Sequence, residues 1–61
     1  MNADFDPEML DEALAAIVIN AQEARDAFLL GKDREGRAAS YAALSAFAAA
    51  THQLSLKPKE P

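Results

Sequence analysis

The chain has no cysteine, no tryptophan, only two glycines and three prolines, and four aromatic residues among 61. Without cysteine there is no disulfide to staple a small fold and no thiolate metal site. One tyrosine and three phenylalanines leave few large anchors for a core. Positive charge is also short: six bases against ten acids give a net charge of −4, which disfavours general affinity for nucleic acid or anionic membrane. No stretch carries a strand signal, an internal repeat or a second domain. Sixty-one residues make one domain at most, near the lower limit for folding on a hydrophobic core alone.

The most informative absence is local. From Ala38 to Leu56 there is no formal charge, although all sixteen charged residues crowd the remainder of the chain. A solvent-facing helix normally shows charges on its outer side. A long helix with none is covered on most of its surface, or is neutral because small residues tolerate both water and contact. Eight of those nineteen positions are alanine, a strong helix former that adds little buried area. Alanine enrichment of this kind accompanies high-GC bacterial or phage genomes. The stretch has the length of a membrane span, but Ser40, Tyr41, Ser45, Thr51, His52, Gln53 and Ser55 make it too polar for one. No basic region followed by an apolar run suggests a secretory signal, so a soluble cytoplasmic protein is expected.

What is present reads as two helices. Asp6 suits an N-cap, Pro7 the first helical position, and Glu8, Asp11 and Glu12 complement the positive end of the dipole. Phe5 and Leu10 hold the positions of a hydrophobic staple. The first helix is predicted over about residues 7–30, with Gly31 as its left-handed stop, after an N-terminal extension over residues 1–5. The turn is predicted over about residues 31–36, with Asp33 as cap, and the second helix over about 36–55. Residues 57–61, Lys57-Pro58-Lys59-Glu60-Pro61, read as a disordered tail.

A short connection makes the helices antiparallel neighbours, so residues 6–56 are expected to form a helical hairpin. Leu10, Leu14, Ile17, Ala21, Ala24 and Phe28 recur at four-and-three spacing, as do Ser40, Leu44, Phe47, Thr51 and Leu54. Folding at the turn pairs residues whose numbers sum to about 68, with Phe28 against Ser40 and Ala21 against Phe47. Two helices bury only one stripe each, and this chain has apolar residues to spare. Dimerisation into a four-helix bundle is the simplest cover. The expected contact surface for self-association or a protein partner comprises Val18, Ile19, Leu29 and Tyr41 with the alanine ridge Ala42, Ala46 and Ala49, continued by Ala38.

No constellation points to catalysis, so the chain is not expected to be an enzyme, to take a small-molecule substrate or to need a cofactor. Ser45 and His52 share a helical face, but seven residues separate them by about 10 Å of rise, beyond hydrogen-bond reach. Glu8 with Glu12, and Glu23 with Asp26, present paired carboxylates without the Glu-x-x-His motif of bundle metal sites. Arg25, Lys32, Arg34 and Arg37 form the only basic cluster. Plasmid-type RNA-binding hairpins are similar in length, but they need a continuous basic face, and Asp26, Asp33 and Glu35 interrupt this one.

The function expected is therefore a non-enzymatic interaction module: a small regulator, inhibitor or adaptor that self-associates and binds a larger protein through apolar helix faces. The layout of a helix, a glycine-containing turn and a helix with an early tyrosine, here Tyr41, resembles the short hairpins that guard needle subunits in type III secretion. That resemblance is of architecture, and it implies a co-chaperone as one alternative. A dimeric nucleic-acid-binding regulator using the basic turn is the other.

Overall fold

The computed structural model describes residues 4–57. Two helices, α1 over Pro7–Leu29 and α2 over Asp33–Ser55, pack antiparallel as an all-α hairpin. The part of the tail beyond Lys57 lies outside the described residues.

The start of α1 is built by its own sequence. Asp6 is extended (φ −121°, ψ 104°), and its carboxylate accepts the Glu8 N–H at 3.0 Å. Pro7 follows, where its missing N–H costs nothing. The helix ends in a Schellman motif: the Lys32 N–H donates to Ala27 at 2.8 Å and the Gly31 N–H to Phe28 at 3.0 Å. Gly31 adopts φ +75°, a left-handed conformation that a side chain would resist.

The second helix starts earlier than its predicted residue 36. Asp33 is its first residue rather than its cap, and the cap position, Lys32, makes no side-chain bond. Asp33 and Glu35 instead place acids in the first turn, where the dipole favours them. Arg37 reaches Asp33 at 4.0 Å across one turn, an exposed pair of little consequence for stability.

The shorter connection changes how the helices meet. Phe28 lies over Gly36, the Gln53 amide reaches Met9, and the Phe5 N–H donates to the Lys57 carbonyl at 3.2 Å. This register is about one turn away from the predicted pairing of Phe28 with Ser40.

The contact stripe is also rotated from the expected one. Buried positions are Ala13 and Ala24 on α1, with Gly36, Ala46, Ala50 and Gln53 on α2. Of the predicted α1 seam only Ala24 is buried; Leu10, Ile17 and Ala21 are half-buried, and Leu14 and Phe28 are exposed. Leu44, Phe47, Thr51 and Leu54 of α2 are exposed as well. Small residues bring the two backbones close together, so dispersion contacts along the alanine stripe are dense. The bulky stripes are left beside the seam rather than inside it.

The result has a large surface for its mass. Its 4981 Å² of accessible area compares with roughly 3,800 Å² for a compact 6.5 kDa monomer. The radius of gyration is 14.4 Å, against about 10.5 Å for a compact chain of this length. Two rods side by side are thin, and thinness exposes side chains.

Candidate interaction surface

Helical periodicity decides where the bulky residues go. On α1, Leu14, Ile17 and Phe28 lie to one side of the Ala13–Ala24 line; on α2, Leu44, Phe47 and Leu54 lie to one side of the Ala46–Ala50 line. Because the helices are antiparallel, these two sides form the same broad face of the hairpin. A shallow groove there confirms the placement, since Ala21, Ala24 and Phe28 of α1 line it together with Ser40, Ala43 and Leu44 of α2. The exposure is substantial: Leu44 is 63% accessible, Phe47 56% and Leu54 65%. No described large side chain is fully buried, and the most deeply covered apolar residue is Ala50, at 3%.

Polar groups along this face are already satisfied. The Ser40 hydroxyl donates to the Gly36 carbonyl at 2.7 Å, and the Thr51 hydroxyl to Ala48 at 2.9 Å. Covering them strips away little hydration that is not already replaced. At the open end, Gln53 is 7% exposed; its Oε1 accepts the Asp6 N–H at 2.9 Å, and its Nε2 points to the Met9 sulfur at 3.8 Å. No buried side-chain nitrogen or oxygen among the described residues lacks a partner.

Near the turn, the Phe28 ring occupies the space a side chain would take at Gly36. A Cβ built there would stand 2.7 Å from Cε1 of the ring. Gly36 therefore acts as the seat of an open-face aromatic, not only as a weak point in the helix.

The residues singled out from the sequence are dispersed. Val18 is exposed on the rim of the open face, and Ile19, also exposed, points to the other side of α1. Leu29 projects near the turn, and Tyr41 points outward from α2, directly away from α1. Ala42 is half-buried and Ala49 exposed on the opposite broad face, whereas Ala46 turns inward to the seam. The open face unites a different set, Leu14, Phe28, Leu44, Phe47 and Leu54, which the sequence suggested as core. Their signal was ambiguous because Ala13, Ala24, Gly36, Ala46, Ala50 and Gln53 offer a second stripe at similar spacing.

Ser45 and His52 are both exposed on α2, and the basic turn residues Arg25, Lys32, Arg34 and Arg37 are exposed among their acidic neighbours. Among the described residues no three acidic or histidine side chains converge to hold a metal. No helix there is long and apolar enough to cross a membrane. No family model, curated protein or solved structure matches the chain.

Proposed function

We propose that this chain is a non-enzymatic protein–protein interaction module, a small regulator, inhibitor or adaptor, acting through the open apolar face. It engages a second copy of itself to form a four-helix bundle, and an apolar helix of a larger protein can occupy the same face. One observation supports this reading: alanine holds the helices together, while Leu14, Phe28, Leu44, Phe47 and Leu54 stand exposed along a single side. The nucleic-acid alternative draws less support, because three acids interleave with the four turn bases.

The test is absolute mass by light scattering across a dilution series, with helicity followed in parallel. A two-chain mass that falls on dilution is expected, with the hairpin's helicity kept at the dilute end. Phe47→Glu should hold the protein at the mass of one chain. Association that survives Phe47→Glu would move the contact off this face, and a single-chain mass in the unaltered protein at every concentration would remove self-association.

A further inference from the structure

Charge along the hairpin bears on how a second copy would lie against the open face. The two ends of the hairpin differ. Asp4, Asp6, Glu8, Asp11 and Glu12 lie at the open end with Lys57 as the one described lysine or arginine, whereas at the turn end Arg25, Lys32, Arg34 and Arg37 are balanced by Glu23, Asp26, Asp33 and Glu35. Two copies stacked with their turns together would set acid against acid. Stacked in opposite directions, each acidic end lies against the partner's neutral turn end, which relieves that repulsion.

A finer pattern agrees. Along the rim of the open face, α1 carries Asp11, Val18 and Arg25 at seven-residue intervals, so the three share one stripe. Val18 is the midpoint of Pro7–Leu29, and the acid and the base stand symmetrically about it. Arg25 borders the apolar groove, and neither it nor Asp11 has an ion-pair partner among the described residues. Such a stripe complements its own reverse.

We propose that, resting on the open-face reading, two hairpins associate face to face and head to tail about a two-fold axis through Val18, with Asp11 of each copy beside Arg25 of the other. In this arrangement α1 lies antiparallel on α1 of the second copy. Leu10 then lies within about half a helical turn of Phe28 across the interface at both ends, so the bulky residues of the α1 stripe contribute to an intermolecular seam. The turns lie at opposite ends, separated by about the 34 Å length of a 23-residue helix.

The absence of native cysteine makes a cross-linking test direct. Val18→Cys and Arg34→Cys are oxidised separately in the full chain at dilute, dimer-forming concentration, and the mass of the unoxidised protein is measured alongside. The expected pattern is a covalent dimer for Val18→Cys and none for Arg34→Cys. The reverse pattern, both, or neither in a protein of two-chain mass overturns the head-to-tail arrangement while leaving the open-face contact intact. A one-chain mass overturns the underlying reading and this inference with it. A charge exchange provides a second readout: Arg25→Asp should weaken association about tenfold, and adding Asp11→Arg should restore it. Failure of that restoration would also overturn the arrangement.

Discussion

The seam and the open face of this hairpin are built from opposite materials. The seam holds alanines, one glycine and one glutamine, and little of it meets water. The open face holds Leu14, Phe28, Leu44, Phe47 and Leu54, between 45% and 65% exposed. In a self-sufficient domain the order would be reversed, because large side chains contribute most when buried. Here small residues line the contact between the helices, and the apolar volume is left outside it. The small residues make the intramolecular contact, and under the proposed function the large ones supply association.

This division can be broken most forcefully from the seam. Ala50→Leu adds bulk where only 3% of the residue is accessible. It should destabilise the hairpin by about 1–3 kcal/mol through overpacking, read from urea denaturation below the association concentration. Under the same conditions, Leu44→Ala, at a 63% exposed position, should cost no more than about 0.5 kcal/mol while weakening association. Equal costs at the two positions would erase the distinction between them.

Gln53→Ala should have the next largest effect. It removes the acceptor of the Asp6 N–H, at a cost of about 1–2 kcal/mol, with faster hydrogen exchange at the Asp6 amide. An unchanged exchange rate there would show that the open end is not held by this contact.

A further substitution sharpens the boundary between the two regions. With the Phe28 ring gone, Gly36→Ala should stabilise α2 by about 1 kcal/mol, from helix propensity alone. In the parent chain the ring stands 2.7 Å from the new methyl position, and that gain should be lost. A double-mutant cycle from thermal melts measures the difference, and additivity would mean that the ring swings aside freely.

Fold class was legible because its signals are local. Asp6-Pro7, Gly31 and the charge-free second segment each act through their own backbone or periodicity, and together they specify a helical hairpin. The rotation of the helices was not legible. On α1, Leu14 and Phe28 lie beside the Ala13–Ala24 stripe, and both stripes satisfy four-and-three spacing, so hydrophobic size favoured the wrong one. Two residues carried the correction. Gly36 and Gln53 break the helix-forming, apolar character of α2 and fall on the alanine stripe; a glycine and an amide there make sense only where the other helix comes close. The turn was also shorter than its composition implied, because Asp33 enters the helix instead of capping it. That shifted the pairing by about one turn.

Alanine against alanine is almost indifferent to offset, since either rod could slip along its neighbour and find the same small methyl. The Gln53 amide is not indifferent, because it finds the Asp6 N–H at a single setting. It serves as the zero mark of a ruler: the spacing of every leucine and phenylalanine across the exposed side is measured from that latch. The pattern on that side is set from both ends, by this amide at one and by the Phe28 ring over Gly36 at the other.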